Sequence, residues 1–244
     1  MRIEIVALSK IPEVRRGDDL AALIRNAAKQ EQQPIDPSVV VAVAQKIVSK
    51  AEGAIADLRQ IKPSPLAQSW AREWGKDPRL IELIFSQSRR ILKMDRGVLI
   101  AETHLGYVCA NAGVDQSNVD GDDFATFLPK DPDASAARLR NELGCGAVIV
   151  TDTFGRPWRE GLVDVAIGVA GLAPLEDYRG SLDRRGRKLT GTIVAVADQL
   201  AAAAGILMRK PLGCPVMLVR GFDWKAAEGS ARALIRSREE DLFR

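Results

Sequence analysis

Histidine occurs once in the 244 residues and cysteine three times. No apolar run approaches the ~20 residues needed to span a bilayer. A single histidine argues against a polyhistidine zinc site or a serine triad. His104, behind Glu102 and Thr103 in a strand-like stretch, reads as a surface or satisfied core residue rather than a base. Cys109, Cys145 and Cys214 are odd in number, far apart and set among small or apolar residues. Neither a disulfide framework nor a metal knuckle is suggested, and a reducing compartment is expected. The opening MRIEIVALSK has no continuous apolar run of signal-peptide length, so a soluble, cytoplasmic protein with no membrane partner is expected. A formal charge of +3 does not by itself argue for nucleic acid, and none is expected as a partner. GxxxxGK[ST] and a GxGxxG following a strand are both missing, so any nucleotide site must be built otherwise.

What is present is 46% hydrophobic, enough to bury a sizeable core as one large domain or two lobes. RIEIVAL reads as a strand, and GDDLAALIRNAAKQ as a helix capped by Asp18. SVVVAVAQKIV is a nearly continuous apolar run, as expected of a central strand buried on both faces. Residues 65–92 favour helix, GVLIAET and YVCANAG strands, ASAARLRNELG helix, and GAVIVTDT and VDVAIGVAGL strands. KLTGTIVAVADQLAAAAGILM reads as a long Ala-rich helix, CPVMLVRG as a strand, and residues 230–243 as a charged terminal helix. The fold class is α+β, with mixed sheets and helices. Residues 1–224 are taken as the catalytic unit and 225–244 as a helical extension; no repeat or low-complexity linker marks a boundary inside the first.

Polar residues punctuate the apolar strands. QKIVSK, GVDQSN and TDTFGRPWR would deliver Lys46, Lys50, Asp115, Asn118, Asp152, Thr153, Arg156 and Arg159 to strand ends, where open sheets place ligand sites. Carboxylates and a hydroxyl suit a hard divalent cation, and Lys and Arg suit phosphate or carboxylate, a combination that phosphoryl transfer requires. The plainer alternative is that Asp and Asn in glycine-containing turns cap their own backbone.

At these same residues the chain resembles the coenzyme F420-0:gamma-glutamyl ligases, in its stand-alone form. ALSKIPEVRRGDDLAALI, QKIVSKAEG, ANAGVDQSN, DTFGRPWREG and DRRGRKLTGTIVAVADQLA are similar to the family's successive motifs, in order, from about Ile5 to Gly221. The resemblance implies the family's own ligase fold, an intertwined homodimer, and the substrates GTP, L-glutamate and a deazaflavin coenzyme. It implies Mg²⁺ or Mn²⁺, with K⁺ as an optional further ion. Nucleotide would be held by the early loop (Leu8, Ser9, Lys10, Ile11 and Pro12) and by Gln45, Lys46, Lys50, Asn118 and Lys210. Metal would be held by Asp115, Asp152 and Thr153, and transition-state charge would be offset by Lys50 and Arg156. Arg89, Arg90, Arg156, Arg159 and the run Arg184, Arg185, Arg187 and Lys188 are candidates for an anionic acceptor; for that run a solvated loop is an equal reading.

Two positions depart from the family pattern. Lys10 stands where the early loop usually has glycine, and Lys210, in MRKPLGCP, falls where the family supplies an amide oxygen to metal, which an ammonium cannot do. The expected activity is GTP-dependent addition of glutamate to the coenzyme's terminal carboxylate through an acyl phosphate. The rivals are a ligase acting on a different anionic carboxylate and a non-catalytic anion-binding protein.

Overall fold

The structure, a computed structural model, describes residues 2–119, 121–208 and 213–241. Its elements in chain order are β1 (Glu4–Leu8), α1 (Leu20–Gln30), β2 (Val40–Ala44), α2 (Gln45–Glu52), β3 (Ile55–Asp57), α3 (Pro65–Trp74), α4 (Pro78–Gln87), β4 (Ser88–Asp95) and β5 (Val98–Thr103). There follow β6 (Val108–Ala110), β7 (Phe124–Thr126), α5 (Pro132–Leu143), β8 (Ala147–Arg156), β9 (Arg159–Ala170), β10 (Glu176–Asp177), β11 (Ile193–Val194), α6 (Val196–Gly205) and β12 (Val216–Arg220).

A five-stranded sheet of order β1-β12-β2-β8-β9 forms the centre; only the β2–β8 pair is parallel. Both faces of β2 are buried, which explains its unbroken apolar sequence. Val41 and Val43 join one core with Ile24, Val48, Leu139, Val148 and Leu218, beneath α1, α2 and α5. Val40 packs on the opposite face with Ile149, Val169 and Leu200, beneath α6. A smaller lobe has its own core of Leu58, Trp70, Ile84, Leu99, Val114 and Ala125, built from α3, α4 and the antiparallel sheet β4-β5-β6. The α+β class therefore holds.

Several local expectations differ. Asp19, not Asp18, caps α1 by accepting from the Ala22 amide at 2.8 Å; Asp18 closes the preceding turn on the Arg15 amide at 2.7 Å. QKIV is not the end of the strand but the start of α2, because a short apolar run fits a buried helix as well as a buried strand. Helix stops at Gln87 within 65–92, and Ser88–Ile91 pair with β5. In 188–208 only Val196–Gly205 is helical, because the β-branched residues before it lie extended and Ile193–Val194 pair with β10. The charged terminal segment forms a single 3-10 turn, Ala231–Leu234, so no α-helix lies in described residues 225–241. Cys109, Cys145 and Cys214 are buried and form no disulfide, and burial pushes the first two thiols up to about 12 and about 11.

Candidate functional site

Parallel strands end side by side. Ala44 of β2 lies opposite Thr151 of β8, and just beyond them a cleft of about 520 Å³ opens. This is where an open α/β sheet places a ligand, outside the carboxyl ends of its parallel strands. Several stretches of chain meet there: 11–14, the start of α2, the 115–119 loop, the middle of β8, Leu162 and Asp164 of β9, and Met208 with residues 213–215 before β12.

Helix α2 begins directly at the sheet edge with Ala44 as its N-cap, and no side chain caps it. Its first turn, Gln45, Lys46 and Ile47, lines the cleft, so the helix presents its positive dipole end and two lysines, Lys46 and Lys50, to one space. Lys50 is buried and its ammonium is paired with Glu13. Lys46 Nζ donates to Asp115 Oδ2 at 2.6 Å, to the Ser117 carbonyl at 3.0 Å and to Ser117 Oγ at 2.6 Å.

Asp115 is fixed by its backbone, which exchanges hydrogen bonds with Thr126 at 2.9 and 2.8 Å. Its Oδ1 also accepts from the Ser117 amide at 2.8 Å, so the self-capping turn expected as the plainer alternative is present too. Asn118 has φ 57, a left-handed conformation that asparagine tolerates better than most residues. On β8, Asp152 Oδ1 accepts from the Thr153 amide at 2.9 Å, and Thr153 Oγ1 donates to Asp164 Oδ1 at 2.9 Å.

The two candidate metal carboxylates are driven apart electrostatically. Burial alone would raise Asp115, but Lys46 and the Ser117 amide and hydroxyl outweigh it and hold the carboxyl below its ordinary range. Asp152 is pushed up to about 7, first by burial, which outweighs the pull of the Thr153 amide, with smaller upward pushes from the charges of Asp164 and Asp115 and a small opposing one from Lys46. A carboxylate so disfavoured is short of positive charge, which a cation would supply.

Among the described residues no three His, Cys, Asp or Glu side chains converge as a self-sufficient metal cage. Two carboxylates and the Thr153 hydroxyl still suit Mg²⁺ or Mn²⁺, because such ions commonly take one or two carboxylates and complete their shell with phosphate and water. The donor set fits a cation that arrives with a phosphate ligand.

Of the residues expected from sequence, the cleft gathers Ile11, Pro12, Gln45, Lys46, Lys50, Asp115, Asn118, Asp152 and Thr153. Leu8 instead is fully buried in the core, while the Lys10 amide and Ser9 hydroxyl turn to Glu31, at 2.8 and 3.4 Å. Arg89 and Arg90 lie on β4 of the smaller lobe, off the cleft wall, where both guanidinium groups are drawn to Glu102 at 3.7 and 2.8 Å. Arg156 and Arg159 flank the hairpin turn beyond the cleft lining. Arg156 Nη2 donates to the Glu160 carbonyl at 2.7 Å, and its Nε is buried without a partner. The run Arg184 to Lys188 is an exposed loop, partly closed by Asp183 accepting from the Arg185 and Arg187 amides, each at 2.8 Å. His104 is exposed, with Nε2 3.1 Å from the Ser86 carbonyl oxygen. Lys210 lies outside the described residues.

Asp164 was not anticipated. VDVAIGVAGL reads as plain strand, and only the hairpin register, which sets Thr153 opposite Asp164, turns its carboxylate toward the site. At the last turn of α6, Gly205 lies so near that an added Cβ would sit 2.0 Å from Asp164 Oδ2.

A family profile described as "F420-0:Gamma-glutamyl ligase" matches residues 9–221. A "Coenzyme F420:L-glutamate ligase" of Methanothermobacter thermautotrophicus is 45% identical over 252 residues, covering 100% of each chain. Proteins of the same name from Methanopyrus kandleri and Methanocaldococcus jannaschii are 45% and 38% identical, each across 100% of this chain and 98% and 97% of their own.

Proposed function

Because the chain belongs to the F420-0:gamma-glutamyl ligase family, whose members form amide bonds, we propose that it joins L-glutamate to the terminal carboxylate of coenzyme F420-0 at the expense of GTP. The observation that carries this reading is one cleft holding both halves of a phosphoryl-transfer site. Lys46, in the uncapped first turn of α2, and Lys50, further along the same helix, line the cleft together with Asp115, Asp152 and Thr153.

A carboxylate is a poor electrophile, so the γ-phosphoryl group moves first to an acceptor oxygen, breaking the bond to GDP and giving an acyl phosphate. The amine of glutamate then forms the C–N bond, phosphate leaves with the acyl oxygen, and the amine sheds a proton. Lys50, buried beside the cleft, supplies a fixed positive charge to the phosphates, and the α2 amides orient them. Gln45 and Asn118 bound the nucleotide side. Asp115, Asp152 and Thr153 would hold Mg²⁺ or Mn²⁺, which supplies neutralisation of phosphate charge. Thr153 is itself oriented by Asp164. A homodimer is part of the same reading.

The test is direct. Chain incubated with coenzyme F420-0, GTP, Mn²⁺ and L-glutamate should yield a product heavier by one or more glutamyl residues, with one GDP and one phosphate per bond formed. Product formed with ATP but not GTP would sink the nucleotide assignment, and no glutamylated product with either would sink the activity.

A further inference from the structure

We propose that Lys46 couples nucleotide to metal in this cleft: its ammonium occupies Asp115 against a cation until phosphate oxygens draw it away. Metal then binds tightly only with the nucleotide. The inference rests on the proposed function and adds an order of assembly to it.

The lysine is saturated. An ammonium has three N–H donors, and the structure commits all three, to Asp115 Oδ2, the Ser117 carbonyl and Ser117 Oγ. Ser117 completes the circuit: its hydroxyl accepts from Lys46 and donates to Asp115 Oδ2 at 2.7 Å, and its amide serves Oδ1 at 2.8 Å. Both oxygens of the carboxylate are engaged. A divalent cation at Asp115 would meet a unit positive charge 2.6 Å from the ligand oxygen, in a contact where the lysine side chain is 18% and the aspartate side chain 41% exposed, so that solvent screens it only in part.

Phosphate resolves the conflict. Lys46 lies in the first turn of α2, whose amides, with Lys50 further along the helix in the same cleft, already favour a polyanion. With no donor to spare, Lys46 can bond a phosphate oxygen only by giving up Asp115 or Ser117, and either change opens the circuit that holds the carboxylate. Asp115 is then free to ligate a cation brought up beside the same phosphates. Coupling of this kind is reciprocal, so metal strengthens nucleotide binding by the same factor. Lys50 is the internal contrast: its partner is Glu13, so releasing it frees no oxygen of the metal set.

The probe is Mn²⁺, titrated into the full chain with and without a non-hydrolysable GTP analogue and followed by paramagnetic resonance. Wild-type affinity for Mn²⁺ is expected to rise about tenfold or more when the analogue is present. Lys46→Met should bind Mn²⁺ alone about tenfold more tightly than wild type, and should gain little from the analogue. Ser117→Ala, which keeps the charge but breaks the circuit, should give a smaller rise in the same direction. Lys50→Met removes an equal charge from the same cleft and should leave Mn²⁺ affinity without nucleotide within about threefold of wild type. Mn²⁺ affinity without nucleotide that stays at the wild-type value in both Lys46→Met and Ser117→Ala overturns the proposal, and so does an equal rise in Lys46→Met and Lys50→Met. Failure of the underlying reading is distinct: wild type then binds no Mn²⁺ even with the analogue, or Asp115→Asn binds it as well as wild type.

Discussion

Asp152 carries the sharpest electrostatic conflict in the cleft, and the sign of its effect can be worked out. Its folded pKa of about 7 lies above the ordinary 3.8, so between these values the folded chain binds more protons than the unfolded one. Its contribution to stability is present at low pH and is lost as pH rises through about 7. Metal ligation requires the deprotonated form, so Mn²⁺ affinity in the presence of the GTP analogue should increase up to about pH 7 and then level, with release of a proton. Calorimetry in buffers of different ionisation enthalpy measures that proton directly, and an affinity flat across the window would sink the assignment. Asp152→Asn should remove the pH dependence and slow turnover by about 10²–10³-fold, the loss typical of one preorganised electrostatic contact. At this scale the sequence was informative where polar residues interrupt apolar stretches, as at Asp115, Asp152 and Lys46, although Lys46 opens a helix and Asp152 lies mid-strand rather than at strand ends. It was silent for Asp164, whose role depends on a cross-strand pairing. It gave no sign that Arg89 and Arg90 lie against Glu102 on the smaller lobe.

Among elements, α6 and the β8–β9 hairpin meet at Gly205 and Asp164. Alanine normally favours a helix over glycine by about 0.8–1 kcal/mol, yet here its Cβ would arrive 2.0 Å from Asp164 Oδ2. The carboxylate is the movable end of a side chain and would swing aside, taking its hydrogen bond from Thr153 with it. Gly205→Ala should therefore unfold no more easily than wild type in a thermal melt while turning over more slowly, because Thr153 loses its orientation. Wild-type turnover in this variant would show that Asp164 does not position the hydroxyl. Element type was legible where periodicity was long and caps distinct, as for α1, α5 and β8. It failed where two elements share one apolar stretch: VVAVA and QKIV join without punctuation because the chain turns from buried strand to buried helix with no intervening loop. It failed again at the charged C-terminal end, where a serine-capped 3-10 turn replaces the expected helix.

For the whole molecule, the homodimer in the proposed reading meets a physical cue in the hairpin tip, where Trp158 is 80% exposed and Leu162 64%. Light scattering at assay concentration should return twice the single-chain mass, and a single-chain mass would count against it. The same global view explains why strand order was not legible: β12 inserts between β1 and β2, a placement no local pattern announces. That insertion bears on how the chain is made. A ribosome delivers β1 and β2 early, yet their shared neighbour, residues 216–220, is the last described strand to emerge. Until then β1 has no partner in the central sheet, and β2, which can already pair with β8, keeps one hydrogen-bonding edge bare. Growing chains must carry that edge through most of translation, so completion of the sheet, and of the cleft at its rim, awaits the final stretch of synthesis, and holdase chaperones would meet this strand before its own neighbour does.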